Sequence, residues 1–472
     1  MLFSSVTFLY YFLPVVLIVY FLTPLPGGGA QLRNAALLVC SLVFYAWGEP
    51  LYLFLMLFQS LAGWFFGLLI DAYRGRPAAS AALAAYVTVG VGGLALFKYS
   101  DFFLANVSAL FHAPAPSLGL ALPIGISFYT FQILSYTIDL YRGNIRVQRN
   151  PLHFSTYVAL FPQLIAGPIV RYADIADALE RRAHSAERFA AGAQRFVIGL
   201  SKKVLLANPL GELAAACGAA DERSALLAWL YAFAYSLQIY FDFSGYSDMA
   251  IGLGRMFGFK FPENFNYPYI ARSVTEFWRR WHMSLSAWFR DYVYIPLGGN
   301  RVSPRRHILN ILLVWLLTGF WHGAGWTFLL WGLYYGLLLL LEKYATARLL
   351  ARLPAFLSHI CLLFCVVLGW VIFDAPDIGA AARTMAAMFG LGADGLAGTE
   401  ALYLLRGYAL PLLIAAAGCT PLPARLVRGL SQGRAGERRM TVLEPLCIVL
   451  LLALATAFLV DGSYNPFIYF RF

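Results

Sequence analysis

The sequence predicts an all-α, polytopic membrane protein, on the basis of its composition, its apolar runs and its loops. Of the 472 residues, 60% are hydrophobic and 12% are charged, whereas about 25% of the residues in a soluble domain are charged. Apolar runs of roughly the 20 residues that a spanning helix needs recur along the chain. Short loops containing arginine separate these runs. No stretch has enough polar surface to coat an independent globule, so we expect one membrane-embedded domain over residues 1–472.

The apolar runs predict roughly ten to twelve transmembrane helices, accompanied by re-entrant or interfacial helices. The run from Ile308 to Leu341 contains no Asp, Glu, Lys or Arg and is too long for a single span. Gly323 and Gly325 are expected to divide it into two short helices. The predicted spans lie near residues 7–24, 34–48, 51–70, 80–98, 119–140, 189–208, 225–241, 308–341, 356–373, 402–420 and 441–460.

The basic residues indicate orientation in the membrane. The net charge is +11, but the Lys and Arg side chains are scattered through short loops and form no stripe with interleaved aromatic residues, so no nucleic-acid partner is expected. Short loops rich in Lys and Arg stay in the cytoplasm. Three such loops, around Arg74, Arg146 and Arg434, place both termini outside. The six cysteines show no metal-ligand spacing, and no metal site is expected.

Two segments interrupt the alternation of spans and loops. Residues 154–168 are too short to span, and residues 242–306 form a long stretch of mixed polarity, so both are predicted to be re-entrant or interfacial on the cytoplasmic side. Residues 276–291 within the second segment are predicted to form one amphipathic helix, with its tryptophans on one stripe. The chain then divides into N-terminal helices (1–140), a catalytic core with re-entrant segments (141–345) and C-terminal helices (346–472).

His322 is the first candidate for chemistry. It lies roughly 21 Å along a helix that starts at Ile308, at about 1.5 Å per residue, in a hydrocarbon core about 30 Å thick. Ionisable groups at such depth usually face a cavity and are candidates for function. Burial favours the neutral ring, which can accept a proton as a general base. The alternative is a structural histidine bonded to a backbone carbonyl between helices.

A second histidine and a group of arginines accompany this candidate. His282 is either a second catalytic residue or a histidine at the membrane interface. Arg279, Arg280, Arg290 and Arg301 form the densest cationic cluster near a predicted cavity. Arginine suits bidentate phosphate binding, so the cluster could hold a phosphate-bearing substrate. It could equally anchor the chain to lipid headgroups.

Other polar and aromatic residues near these positions complete the candidate site. Trp278, Trp321 and Asp291 are grouped with the arginines as substrate-binding candidates. Asp242 and Asp248 bracket a short segment after an apolar run. These two carboxylates could orient a histidine, or they could form internal ion pairs with basic side chains.

Sequence motifs that cover most of the chain in order resemble those of a known family, the membrane-bound O-acyltransferases, and within it the bacterial alginate O-acetyltransferase branch. The motifs are Pro123–Phe131 (PIGISFYTF), Ala166–Pro168 (AGP), Tyr240–Ala250 (YFDFSGYSDMA), Glu263–Asn266 (ENFN), Thr275–His282 (TEFWRRWH), Trp288–Asp291 (WFRD), Trp321–Gly323 (WHG) and Asn465–Phe470 (NPFIYF).

The resemblance implies a helical fold around a tunnel, with the essential histidine of the family at His322 and its second histidine at His282. It implies a cytoplasmic acetyl-CoA donor and no tightly bound cofactor. It also implies a bacterial inner membrane location, where acetyl groups cross to a periplasmic or extracytoplasmic transferase partner. The final acceptor would be a polysaccharide such as alginate, cellulose or peptidoglycan.

Two other functions remain open at the level of sequence. Within the family, the chain could transfer D-alanine to a teichoic acid. In another class, it could be a glycan transporter or flippase in which the intramembrane histidine relays protons. Such transporters often contain paired internal repeats, and we find none in the sequence.

Overall fold

The computed structural model describes residues 1–24, 30–462, 465–466 and 468. In these residues the chain is helical, with one isolated β-bridge between Ser224 and Gly395. The predicted all-α class is therefore confirmed. Three residues of the C-terminal motif, Phe467, Tyr469 and Phe470, lie outside the described residues.

The first compact unit consists of Met1–Phe196 and Ser247–Pro262. A π-helical turn at Phe8–Phe12 precedes its first α-helix. The helices are α1 (Leu13–Leu22), α2 (Gln31–Ala46), α3 (Leu53–Ala72), α4 (Pro77–Leu110), α5 (Ile126–Tyr141), α6 (Pro151–Ala159), α7 (Phe161–Leu164) and α8 (Tyr172–Glu180), followed by the start of α9 (Ala186–Ser201).

The second compact unit consists of Val197–Tyr246 and Glu263–Phe472. Its helices are α10 (Asn208–Ala219), α11 (Ala225–Met256, whose last turns belong to the first unit), α12 (Val274–Arg280), α13 (Met283–Phe289), α14 (Pro304–His322), α15 (Trp326–Leu341), α16 (Ala347–Arg352), α17 (Ala355–Asp374), α18 (Ile378–Met388), α19 (Thr399–Gly407), α20 (Ala409–Gly418), α21 (Leu422–Leu430) and α22 (Gly433–Asp461).

Several helices are long and apolar enough to cross a membrane. By length and composition, five stretches among the described residues meet this requirement, and α19 with α20, bent by 59°, would make a sixth. The chain is therefore a multi-pass membrane protein. The larger number of ten to twelve crossings stays a prediction. The five stretches are Leu53–Ala72, Pro77–Leu110, Trp326–Leu350, Ala355–Asp374 and Gly436–Asp461.

Two helices run well past their predicted ends. The span predicted at 80–98 belongs to the 34-residue α4, and the span predicted at 225–241 belongs to the 32-residue α11. The prediction that residues 242–256 are part of a re-entrant stretch is therefore wrong. The helix continues through Asp242 and Asp248 because each carboxylate has a basic partner, which removes the cost of an unpaired charge.

The predicted break near Gly323 is confirmed, since α14 ends at His322 and α15 begins at Trp326. The two helices of this hairpin pack closely because each has a glycine where the other helix crosses it. A Cβ atom on Gly332 would lie 2.3 Å from the carbonyl oxygen of Trp315, and a Cβ atom on Gly319 would lie 2.2 Å from that of Phe328. This close approach fixes the end of α14, and with it the position of His322.

Replacing Gly332 by alanine is expected to lower the free energy of unfolding by about 1–3 kcal/mol, the usual cost of overpacking, because the backbone carbonyl of Trp315 cannot move away without shifting α14. The thermal unfolding midpoint of the detergent-purified protein measures this. Gly92→Ala is the control, since no atom lies within 4 Å of a Cβ at that position in the middle of α4. Equal midpoints for the two variants would contradict the proposed packing.

Candidate functional site

A cavity of about 320 Å³ lies in the second unit, between the short helices α12 and α13 and the hairpin helix α14. Its volume is at the lower end of the range for small-molecule sites. The two candidate histidines, His282 and His322, both line it. The other lining residues are Thr275, Trp278, Arg279, Trp281, Leu285, Ser286, Phe289, Arg290, Tyr294, Ile311, Val314, Trp315, Thr318 and Leu339.

His322 is the last residue of α14 and lies among aromatic rings. Its imidazole centroid is 5.2 Å from the Trp331 ring, 5.3 Å from the Phe373 ring and 5.0 Å from the Trp321 ring. Only 8% of the residue is exposed. The aromatic wall restricts water around the ring, which strengthens any electrostatic or proton-transfer interaction that the ring makes.

A second, much smaller cavity, of about 20 Å³, adjoins the same histidine. His322 and Trp281 line both cavities. Asp242 and Ile468 line only the smaller one. His322 therefore borders two neighbouring cavities.

His282 lies at a break between two helices. The prediction of a single amphipathic helix over residues 276–291 is therefore wrong. α12 ends at Arg280, α13 begins at Met283, and His282 has a left-handed backbone with φ of 42°. Such a conformation is strained for a residue with a Cβ atom. It turns the ring of His282 inward, where the residue is 2% exposed.

The hydrogen bonds of Asn264 define the tautomer of His282. The Asn264 Oδ1 atom accepts from the Ser284 hydroxyl at 2.9 Å and from the Ser284 backbone N–H at 3.4 Å. The same oxygen lies 3.0 Å from His282 Nδ1, so that nitrogen carries a proton and donates it. Nε2 is then the basic nitrogen of the ring. Burial lowers the pKa of His282 to about 3, so the ring is neutral at physiological pH.

Replacing Asn264 by aspartate is expected to make any reaction that depends on a neutral His282 sensitive to pH. A carboxylate beside His282 favours the imidazolium and raises its pKa from about 3. The neutral ring, and activity with it, should then be lost as the pH falls through the raised pKa. Wild-type protein should show no loss from this group between pH 5 and 8. The measurement is the pH dependence of the catalysed rate in both proteins, with Asn264→Ser as a neutral control that should keep the wild-type pH dependence.

The predicted arginine cluster is only partly assembled at the cavity. Arg279 and Arg290 line the cavity. Arg280 instead forms an ion pair with Glu276 at 2.8 Å, and Arg301 lies in the exposed turn that precedes α14. Asp291 pairs with Arg290 at 2.7 Å. Two of the four predicted arginines are therefore placed to contact a substrate in this cavity.

The two carboxylates predicted to orient a histidine form ion pairs with basic residues. Asp242 and Lys203 are both nearly fully buried, with Oδ1 and Nζ 2.8 Å apart. Asp242 Oδ2 also accepts from the backbone N–H of Ile468 at 2.9 Å. Asp248 pairs with Arg195 at 2.7 Å within the first unit. Of the two, only Asp242 lies at a cavity that His322 lines.

A polar network beside the cavity was not predicted from the sequence. Lys343 Nζ lies 3.0 Å from His307 Nε2, and an ammonium group can only donate, so this nitrogen accepts and Nδ1 carries the proton. His307 Nδ1 therefore donates to the Tyr344 hydroxyl at 2.8 Å. The Tyr294 hydroxyl is 3.0 Å from His307 Nε2, which holds a phenol in the cavity wall. A lone histidine at the edge of an apolar run does not predict such a network.

The described residues contain no group of three or more His, Cys, Asp or Glu side chains that could hold a metal ion. The cavity is lined by two histidines, by the hydroxyl-bearing residues Thr275, Ser286 and Thr318, and by two arginines. This arrangement can move a proton and stabilise negative charge, which are the two requirements of acyl transfer to a hydroxyl.

Comparison with known proteins gives consistent results. The model of the family described as MBOAT, membrane-bound O-acyltransferase family, matches residues 126–373, a segment that contains both histidines. The chain is 39% identical to the probable alginate O-acetylase AlgI of Azotobacter vinelandii over 100% of both chains. It is 34% identical to the peptidoglycan O-acetyltransferase of Helicobacter pylori, over 83% of this chain and 80% of the other. With the teichoic acid D-alanyltransferase of Bacillus subtilis it shares 34% identity over 46% of this chain and 58% of the other.

Proposed function

This chain belongs to the membrane-bound O-acyltransferase family, and from that premise we propose that it transfers acetyl groups from cytoplasmic acetyl-CoA across the bacterial inner membrane, for O-acetylation of an extracytoplasmic polysaccharide. The observation that carries the proposal is the single cavity lined by both histidines and by two arginines. Residues 141–345 form the proposed catalytic core.

The proposed reaction assigns His322 as the general base. Its neutral imidazole takes the proton of an acceptor hydroxyl as the hydroxyl oxygen attacks the thioester carbonyl of acetyl-CoA. The tetrahedral intermediate collapses with cleavage of the carbon–sulfur bond. The departing CoA thiolate takes the proton from the imidazolium, which leaves CoA with a free thiol and returns His322 to its neutral form.

The remaining site residues have supporting roles in this proposal. Arg279 and Arg290 interact with the phosphates of CoA, as guanidinium groups do. Trp278, which lines the cavity, encloses the narrow part of the donor, and Trp321 supports the ring of His322 from its side. The basic Nε2 atom of His282 accepts a hydrogen bond within the cavity. No tightly bound cofactor is required, because acetyl-CoA is itself the acyl donor.

The charge of the cavity wall favours an acetyl over a D-alanyl donor. A D-alanyl group carries an ammonium ion, which needs a carboxylate partner when it is taken out of water. The described residues that line the larger cavity include two arginines and no carboxylate. An acetyl group is neutral and small and needs no such partner. The relatives that match the whole chain are named as alginate O-acetylases, which supports the same choice.

The proposed topology has ten to twelve crossings with both termini outside the cytoplasm. The acetyl group then leaves the site on the extracytoplasmic side, where a periplasmic transferase partner passes it to the glycan. Alginate, peptidoglycan and cellulose are the proposed acceptors, in line with the names of the relatives for the first two. Nucleic acid is not among the proposed partners.

The test of this proposal is thioester cleavage by detergent-purified protein, supplied in parallel with acetyl-CoA and with a D-alanyl thioester of a carrier protein. Release of free thiol from acetyl-CoA, with little from the D-alanyl carrier, is the expected result. Cleavage of the D-alanyl thioester alone would show that the donor is the D-alanyl carrier protein and not acetyl-CoA. Absence of cleavage with both donors, in the presence of membrane and periplasmic extract, would favour the transporter function instead.

A further inference from the structure

A third cavity, of about 410 Å³, lies within the first unit and plays no part in the proposed reaction. It lies between the end of α1, the segment that enters α9 and the last turn of α11. Its polar lining consists of His184, Ser185, Arg188 and Arg255. Apolar side chains, Phe21 and Phe189 among them, form the rest of its wall.

Two further arginines, Arg33 and Arg182, pack against Tyr20, which contacts the lining residue His184. The Arg182 guanidinium packs 5.5 Å from the centre of the Tyr20 ring and 4.6 Å from that of Phe259. Its three side-chain nitrogens are buried, and the guanidinium interacts with the Tyr20 hydroxyl. Arg33 is 9% exposed and lies 5.0 Å from the centre of the same Tyr20 ring. Buried arginines usually have an anionic partner.

None of these four arginines forms an ion pair with a carboxylate of the described part of the chain. Three of them act electrostatically on His184, whose Nε2 lies 3.1 Å from the Tyr20 hydroxyl. Burial, and then the charges of Arg33, Arg182 and Arg188, lower the pKa of His184 to about 4. The cavity is therefore a region of positive potential, which an anion would neutralise.

The surroundings of the cavity favour an anion that also carries hydrocarbon chains. Phe21 is the residue of α1 that lines the cavity. The same helix exposes Val15, Ile18 and Leu22 by 58, 59 and 78%. In a multi-pass membrane protein, exposed apolar side chains of this kind contact lipid tails. The ligand thus needs a charged end for the arginines and an apolar end for α1.

We propose that this cavity binds the headgroup phosphate of an anionic phospholipid, with the acyl chains lying along α1. Arg188 and Arg255 contact the phosphate. Arg33 and Arg182 do not line the cavity, but their positive charges attract the phosphate from a longer distance. Basic pockets between helices of membrane proteins bind headgroups in this way. A free phosphate offers the same charge without the chains, and the two ligands are distinguished by experiment.

The test measures lipid binding to delipidated, detergent-purified protein, by native mass spectrometry, for wild type and for the Arg188→Gln/Arg255→Gln double variant. The probes are phosphatidylglycerol, zwitterionic phosphatidylcholine and inorganic phosphate. Arg425→Gln/Arg428→Gln is the matched control, since both of these arginines are exposed on α21. The thermal midpoint without lipid shows whether each variant is folded.

The expected result is preferential binding of phosphatidylglycerol to wild type and to the control. Each arginine near an anionic lipid contributes about 1 kcal/mol, so loss of two should weaken binding about 30-fold. Binding that is equal for both lipids, or unchanged in the double variant, would overturn the proposal. Inorganic phosphate that competes with the lipid at equal concentration would also overturn it, because the acyl chains would then contribute nothing.

Discussion

Replacing His322 by glutamine is expected to reduce acetyl transfer by about 100- to 10,000-fold, the range that a general base contributes. Glutamine approximates the length of histidine and retains a polar end, but it cannot accept and return a proton near neutral pH. The aromatic wall of Trp321, Trp331 and Phe373 should remain in place around it. The loss should therefore fall on the chemical step and leave donor binding largely intact.

The measurement is the rate of CoA release with saturating acetyl-CoA, together with the KM for acetyl-CoA. His112→Gln is the control, because His112 is an exposed residue outside the second unit. A matching thermal midpoint for the His322 variant and wild type shows that the protein is folded. A folded His322→Gln protein with more than a tenth of the wild-type rate would exclude His322 as the base.

Replacing Lys203 by methionine is expected to give the largest loss of stability, about 3–5 kcal/mol, which is the usual cost of removing one partner of a buried ion pair. Asp242 would remain as a buried carboxylate without its cation. Lys203 Nζ also donates to the carbonyl oxygen of Pro466, so the attachment of the C-terminal segment would weaken at the same time. Activity should fall with stability, since Ile468 of that segment lines the small cavity beside His322.

The double variant Lys203→Met/Asp242→Leu tests the cause of this loss. Replacing both members of a buried pair by apolar residues is often neutral, so the thermal midpoint should recover most of the decrease. Lys260→Met, at an exposed lysine, should leave the midpoint unchanged. A double variant as unstable as Lys203→Met would show that the buried charge of Asp242 is not the source of the instability.

The general fold could be predicted from sequence because lipid imposes a simple requirement on composition. Apolar runs identified most helices, and Gly323 and Gly325 identified the break between α14 and α15. The ends of the helices were harder to predict from the sequence. α11 continues past Asp242 because of Lys203, a residue in a different predicted span, and hydropathy along one segment contains no information about such a partner.

The candidate site could be predicted only for residues that stand out individually in the sequence. His282 and His322 stood out as ionisable groups in apolar surroundings, and both line the same cavity. Asn264 could not be assigned its role, because it contacts His282 only after the chain breaks between α12 and α13. Tyr294 and Lys343 likewise meet through His307 from separate segments. Pairings of this kind depend on tertiary structure.

The position of His322 at the end of α14 has an electrostatic consequence for the proposed reaction. The last carbonyl groups of an α-helix lack partners within the helix, and they give this end a partial charge of about −0.5. When His322 takes a proton, the positive charge forms at this negative pole of the helix dipole. Such an arrangement stabilises an imidazolium by up to about 2 kcal/mol in a partly buried setting, which corresponds to about thirtyfold in rate. The direction in which α14 runs is therefore part of the catalytic apparatus that we propose.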